Sequence, residues 1–381
     1  MSNGAGGILV RGVNWLGDAV MTTPALHRLR EASQGARIIL LTHRKLLDLW
    51  QHHPSLDGTI PFEAGEGPWS VARRLRAEKF QTALVLPNSP RSALESWLAG
   101  IPERVGYAQP WRSWLLTRAA TPRPGRFEMH KLSRNEINQL VQASARGSDF
   151  MPCRPQSTVA HQIHEYLHLA GSLGANPEPI EPKLVVARSE VEQVEAAWLS
   201  RLRQQRAGAG EGGPLMLLGL NPGAEYGPAK RWPAERFAAV AREVSARIKT
   251  CVWFVFGTAS ERELGDTVAR LAGGNVFNIA GKTSLREFLA LLKICRVLLT
   301  NDTGPMHLAA AVGTPVVVPF GSTSPELTGP GLPGDARHRL LKSDAPCAPC
   351  FRRVCPIDFR CMKGISADAV VNAVLEIAAA R

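Results

Sequence analysis

The apolar run Val297–Leu299 stops at the polar turn Thr300-Asn301-Asp302-Thr303-Gly304, a small-residue segment follows to Ala311, and Pro315–Gly321 resumes the apolar pattern. A short apolar run bounded by turn residues is a buried strand, and the small-residue stretch behind it is a helix. Two such strands joined through a helix lie parallel in one sheet, which helices must then cover on both faces. Asp302 therefore stands where a parallel strand ends, and Thr303 and Gly304 stand where a helix begins. Free N–H groups and the positive end of a helix dipole make that position suited to an anion, at the strand ends where open α/β sheets bind ligands.

The same alternation runs through most of the 381 residues. Strands are expected at 8–11, 37–41 and 82–86, with helices at 18–32, 44–52 and 69–80. Periodicity is lost over 145–158, read as a surface loop, and a helix resumes at 161–170. Asn176-Pro177-Glu178-Pro179-Ile180-Glu181-Pro182 reads as a stiff extended linker. Beyond it an amphipathic helix at 190–205 and a Gly-rich loop at 207–214 precede strands at 215–220, 251–256, 276–279, 297–300 and 316–320. The last helix, 367–380, has a face for either half. The expected architecture is α/β: two Rossmann-like domains, 1–180 and 181–381, facing across a cleft.

Composition narrows the class. Hydrophobic residues make up 45% of the chain and charged ones 20%, as in an ordinary globular protein. The apolar runs are strand-sized, far below the roughly 20 residues of a membrane helix. The segment 1–7 is polar and Gly-rich, unlike a signal peptide, so a cytoplasmic location is expected. A net charge of +12 suits an anionic partner. The arginines are spread and no nucleic-acid motif is present, which disfavours nucleic acid.

Three constellations carry chemistry. In Arg11–Pro24 a strand ends, a turn containing Gly12 and Gly17 follows, and Asp18 opens a helix. Asp18 is either a helix cap or a general base at the strand-end rim, taking a proton from an attacking hydroxyl. The glycine spacing is wrong for a dinucleotide fingerprint. In Asn221–Pro233 a small-residue turn with Asn221 and Gly223 leads to Lys230 and Arg231, which suits a phosphate or is a solvated basic loop. Gly281-Lys282-Thr283 imitates a P-loop, but Val276 occupies the position of the required glycine, so Thr283 or Ser284 reads as a helix cap.

The third constellation is Cys347-x2-Cys350-x4-Cys355-x5-Cys361. Four clustered thiols in a cytoplasmic chain suggest a structural metal, yet the gaps are unusual for a zinc ribbon, and a reduced knuckle fits equally well. Lying well after Asp302, these cysteines are expected to shape a loop and not to do chemistry. Cys153, Cys251 and Cys295 read as buried apolar residues. His307, one turn beyond Asp302, is either a satisfied buried histidine or a nucleotide contact. Trp15, Trp97, Trp111, Trp114 and Trp232 read as packing residues.

Taken in order, GVNWLGDAVMTTPAL, NPGAEYGPAKRWP, FGTASERE, AGKTSL, NDTGPMHLAAAVGTPVVVPFG and CAPCFRRVCPIDFRCM resemble the ADP-heptose:lipopolysaccharide heptosyltransferases. The Cys-rich tail and the Asn-Trp before Leu-Gly-Asp are most like the heptosyltransferase II branch. The resemblance spans Ile8 to Ala378 and departs most over 111–158. It implies a glycosyltransferase B-type fold and inverting, metal-independent transfer of heptose from ADP-heptose to the anionic lipopolysaccharide inner core at the cytoplasmic face of the inner membrane. No cofactor is required on that reading. Asp18 falls at the family's general base, Lys230 at its diphosphate lysine, Glu261 at its acidic donor contact, and Asp302, Thr303 and Gly304 at its donor-binding turn. A related transferase or epimerase using another nucleotide sugar, and a non-catalytic nucleotide-sugar or anionic-lipid binder, are the alternatives.

Overall fold

A computed structural model describes residues 7–146, 158–200, 202–204 and 215–380. The chain forms two compact units, one of Met1–Arg126 with Val159–Val185, the other of Phe127–Thr158 with Val186–Arg381. A single cut near residue 180 does not anticipate the excursion of Phe127–Thr158 into the second unit.

In the first unit, β1 (Ile8–Arg11), α1 (Leu16–Met21), α2 (Thr23–Ala32), β2 (Ile38–His43), β3 (Gly58–Phe62), α3 (Pro68–Ala77), β4 (Thr82–Val85), α4 (Pro90–Leu98), β5 (Glu103–Tyr107) and β6 (Arg118–Ala120) follow in order. All pairings are parallel and the strand order is β3-β2-β1-β4-β5-β6. β1 pairs with β2 on one side and β4 on the other, so the strand order reverses at β1/β4. Leu9, Leu41, Val71, Leu75, Ala83 and Val85 fill the core between this sheet and its helices. Each buried Leu or Val among them contributes roughly 1.5–3 kcal/mol of burial energy.

Then come α5 (Arg134–Ala145), α6 (Ile163–Gly171) and α7 (Arg188–Val194). α6 packs on α2 in the first unit, whereas α5 belongs to the second. There Leu132, Ile137 and Leu140 meet Cys347 and Cys350. α7 opens the second unit, where Glu190 pairs with the buried Arg286 at 2.5 Å.

The second unit repeats the first: β7 (Met216–Asn221), α8 (Ala234–Arg247), β8 (Cys251–Val255), α9 (Arg262–Ala272), β9 (Val276–Asn278), α10 (Leu285–Ile294), β10 (Leu298–Thr300), α11 (Gly304–Ala311), β11 (Val316–Phe320), α12 (Pro325–Thr328), β12 (Arg339–Lys342), α13 (Arg360–Lys363) and α14 (Ala367–Ala379). Its order, β12-β11-β10-β7-β8-β9, is that of the first sheet, reversing at β7/β10. α14 lays Val370, Val371, Val374 and Ile377 on this unit's core, beside Phe237 and Val244 of α8. Both sheets have the doubly wound Rossmann order, which leaves a crevice at the carboxyl ends of the strands where the order reverses.

Several local expectations change. The helix expected over 18–32 is two, broken at Thr22, where the Thr22 and Thr23 hydroxyls donate to the carbonyls of Ala19 and Val20 at 2.7 and 2.8 Å. Strands β3, β5, β6 and β12 were not anticipated. Of the five tryptophans read as packing residues only Trp232 is buried. Trp111 is 81% exposed, and Trp97 and Trp114 meet edge to face on the outer side of α4, 6.0 Å between centroids. Cys251 and Cys295 are buried, as expected. Cys153, nearly all of the 145–158 loop, the 207–214 loop and the end of the 190–205 helix lie outside the described residues.

Candidate functional site

In the second unit, the reversal point β7/β10 gathers the predicted residues of the nucleotide side. Asn301 follows β10 and is fully buried. Its Nδ2 donates to the carbonyls of Pro222 and Gly223 at 2.8 and 3.2 Å, and its Oδ1 accepts from the Trp232 N–H at 3.0 Å. One amide therefore clamps both ends of the loop after β7 against the end of β10, satisfying backbone groups that would otherwise be buried unpaired. That loop carries Lys230, whose Nζ lies 2.7 Å from Asp302 Oδ2 with both side chains mostly buried. The Thr323 hydroxyl donates to the same Asp302 oxygen. Next in sequence, Thr303 is the extended N-cap residue of α11 and Gly304 its first residue. Pro305 has no N–H and the Met306 N–H donates to the Thr303 carbonyl at 3.0 Å, so α11 presents its positive end through the amides of Thr303 and Gly304 beside this ion pair.

Tyr226 stands beneath the pair. Its ring centre is 4.9 Å from Lys230 Nζ and 5.1 Å from the Arg353 guanidinium carbon, and its hydroxyl donates to the Phe351 carbonyl at 2.8 Å. On the other side, Glu261 caps its own turn, accepting from the Thr258 N–H at 2.9 Å and its hydroxyl at 3.0 Å. The same carboxylate fills the space a side chain at Gly223 would need, since a Cβ there would sit 1.8 Å from Glu261 Oε1. Asn221 ends β7 and is buried, and His307 is buried on α11. Lys230, Asp302, Thr303, Gly304, Asn221, Gly223 and Glu261 thus lie on the adjoining strand-end loops of one sheet.

Gly281-Lys282-Thr283 is no phosphate loop. Ser284 caps α10 and forms a reciprocal capping box with Glu287. Lys282 Nζ donates to the Asn278 carbonyl at 3.1 Å.

The first unit holds Asp18 and Gly17 at its own reversal point. α1 starts at Leu16 with Trp15 at the N-cap, so Asp18 is the third helical residue and not the cap. It faces Tyr166 of α6, whose buried phenol is held well above its ordinary pKa, first by burial and then by the Asp18 charge. Gln162 Nε2 donates to that phenol oxygen at 2.9 Å. Arg11 at the end of β1 holds the turn. Its Nε meets the fully buried Glu95 at 2.9 Å, and its Nη1 donates to the Gly12 carbonyl at 2.6 Å and to Asn14 Oδ1 at 3.1 Å. Burial lowers the Arg11 pKa while Glu95 opposes the shift. Buried Arg112 donates through Nη1 to the Pro87 carbonyl after β4.

Arg11, Glu95, Tyr166, Asn301, Thr323 and Tyr226 escaped the sequence reading. Each acts through a partner far away in sequence, so no local spacing marks it. Arg11 alone left a trace, as a charged residue ending an apolar strand.

Among the described residues, no group of three or more His, Cys, Asp or Glu side chains is placed to hold a metal ion. Cys347, Cys350 and Cys361 are buried as thiols. Burial comes first in raising them, with the neighbouring thiols adding to it, to about 11 for Cys347 and about 12 for Cys361. Cys355 Sγ accepts the Phe359 N–H at 3.3 Å. Cys347 and Cys350 pack against Leu132, Ile137 and Leu140.

Comparison with known proteins bears on the whole assembly of loops. Residues 160–359 match the sequence model of glycosyltransferase family 9 (heptosyltransferase). Over 365 residues the sequence is 30% identical to lipopolysaccharide heptosyltransferase 2 of Escherichia coli strain K12, covering 89% of this chain and 91% of that protein. It is 28% identical to lipooligosaccharide heptosyltransferase 2 of Haemophilus influenzae, over 85% of each. Among solved structures, E. coli ADP-heptose LPS heptosyltransferase II superposes with a TM-score of 0.71 at 25% identity, over 98% of each chain.

Proposed function

This chain belongs to glycosyltransferase family 9, the heptosyltransferases, and we propose that it moves L-glycero-D-manno-heptose from ADP-heptose to the lipopolysaccharide inner core, as the second heptose. The observation that carries the reading is the Lys230–Asp302 pair at the start of α11, where the second sheet reverses its strand order. That position offers one cation, held against Asp302, and one helix terminus to a diphosphate. Glu261, Asp302, Thr303, Gly304 and His307 serve the donor, with Asn221 and Gly223 shaping the loop. The two units, expected from the sequence as 1–180 and 181–381, divide the work between acceptor and nucleotide sugar.

Asp18 is the general base. The acceptor hydroxyl oxygen bonds to the anomeric carbon of the heptose and its proton passes to the Asp18 carboxylate. The bond from that carbon to the β-phosphate oxygen breaks, and ADP departs with the electron pair. Attack opposite the leaving group inverts the anomeric centre. Lys230 and the α11 amides balance the charge that develops on the departing diphosphate, the work a divalent metal does in other transferases. No cofactor enters, and the four cysteines form a reduced knuckle.

A net charge of +12 suits an anionic, lipid-linked acceptor and a place at the cytoplasmic face of the inner membrane. No helix among the described residues is long and apolar enough to cross a membrane. The test is to incubate the purified protein with a panel of nucleotide sugars and a core acceptor bearing one heptose, and to weigh the products. A mass gain of one heptose from ADP-heptose alone is expected. Transfer from another nucleotide sugar, or none from any, refutes the assignment.

A further inference from the structure

Lys230, the cation that the family resemblance assigns to the diphosphate, is not a free charge. Its ammonium sits 2.7 Å from Asp302, so the pair brings almost no net charge to a ligand that carries two or more. A second cation close by would change that balance, and the Cys-rich loop delivers one. The Phe351 N–H donates to the Ser322 carbonyl at 2.7 Å, the Tyr226 hydroxyl donates to the Phe351 carbonyl at 2.8 Å, and the Ala229 N–H donates to the Arg353 carbonyl at 3.0 Å. Three hydrogen bonds thus fasten residues 351–353 to the loop of Lys230 and to the loop of Thr323, the two segments that hold Asp302. Gly227 shows how close the approach is. At φ 148° it lies so near that a Cβ would come within 2.6 Å of the Arg353 carbonyl oxygen.

Arg353 is exposed, and its guanidinium rests against the ring of Tyr226, the ring that also carries Lys230 Nζ. Among the described residues no carboxylate pairs with it, whereas Arg352 beside it turns away to donate to the Leu132 carbonyl at 2.7 Å. Stacking on an aromatic face orients a guanidinium while leaving its N–H edge available to an anion.

We propose that Arg353 is a second cation of the donor site, binding the diphosphate of the nucleotide sugar beside Lys230, and that the Cys-rich loop exists to place it. The knuckle's buried thiols and its left-handed residues Phe351 and Phe359, at φ 53° and 58°, hold the loop in that shape. This inference rests on the donor reading of the Lys230–Asp302 site.

The test is calorimetric titration of ADP and of adenosine in EDTA, at low and high salt, into the wild-type protein, Lys230→Ala, Arg353→Ala and Arg353→Lys. Arg353→Ala is expected to weaken ADP about tenfold, the worth of one charge-assisted contact, and to make its binding less sensitive to salt. Adenosine affinity and melting temperature should stay as in the wild type, and Arg353→Lys should recover most of the loss. ADP affinity unchanged in Arg353→Ala overturns the role of Arg353, while the donor reading survives if Lys230→Ala still loses ADP. Equal losses of ADP and adenosine make Arg353 a structural residue and also overturn the proposal. Failure of the wild-type protein to bind ADP removes the donor reading and this inference together.

Discussion

At the scale of single residues, the site is built from charges that distant partners hold in place. Asp18 stands in the first turn of α1 and faces Tyr166 within the first unit, its charge helping to hold that buried phenol above its ordinary pKa. On the proposed mechanism, Asp18→Asn keeps the shape and removes the general base. Turnover should fall by a factor on the order of 10² to 10⁴ with ADP affinity unchanged, as steady-state rates and titration would read. Near-normal turnover would reduce Asp18 to a helix residue. Glu95 makes a different case, being fully buried between Arg11 at 2.9 Å and Arg91 at 3.0 Å. Its neutralisation in Glu95→Gln leaves Arg11 buried beside an amide, and breaking a buried pair costs about 3–5 kcal/mol. Chemical denaturation of the first unit should show that loss, and a stability within about 0.5 kcal/mol of wild type would make the pair a surface-like contact.

At the scale of elements, the loops after β7, β8 and β9 lock one another. Gly281 adopts φ 71°, and a Cβ there would sit 2.6 Å from the Ala259 Cα, in the turn that Glu261 caps. Backbone, not a flexible side chain, is what the new methyl would strike. Gly281→Ala should therefore cost about 1–3 kcal/mol from the left-handed conformation alone, more with the clash, and should weaken ADP by shifting Glu261 against Gly223. Thermal melting and titration would check both, and an unaffected melting temperature would show that the turn yields freely. A helix cap at Thr283 or Ser284 was readable because capping is local, and the structure places it at Ser284. The strands β3, β5, β6 and β12 were not readable, because the edge strands Gly58–Phe62 and Arg118–Ala120 and the inner strand Glu103–Tyr107 alike lack a continuous apolar run.

For the molecule as a whole, the two units give two handles on stability. In the first, His53 is buried beside His27 with ring centres 5.4 Å apart. Burial first, and then His27, lowers its pKa to about 4. The unfolded chain takes up that proton near the ordinary value of 6.5. Between pH 6.5 and 4 the unfolded state therefore binds more protons, so stability is full above that window and lost as pH falls through it, by about 3 kcal/mol. The melting temperature of the first unit should drop across that range, and His53→Gln should flatten the profile. An identical profile in the variant would place the loss elsewhere. In the second unit, Cys347 and Cys350 pack α5 onto the knuckle. Elemental analysis should find no stoichiometric metal, a chelator should leave the melting temperature alone, and Cys347→Ser should lower stability through its buried hydroxyl. One zinc or iron per chain would overturn the reduced knuckle.

The sequence by itself determined the fold class, because parallel strands buried on both faces must be written as short apolar runs between helices, and that pattern is local. It also located Asp302, Lys230 and Asp18, because strand ends and helix starts have chemical signatures a few residues long. Tertiary structure alone decided that Lys230 is spent on Asp302, that Asn301 clamps the loop after β7, and that the cysteine tail lies against that loop. That the tail, remote in sequence, is fastened beside the loop of Lys230 follows from the same cause. Which strand-end loops become neighbours is set by the strand order β12-β11-β10-β7-β8-β9, and strand order follows from crossovers whose partners lie tens of residues apart, beyond the reach of any periodicity.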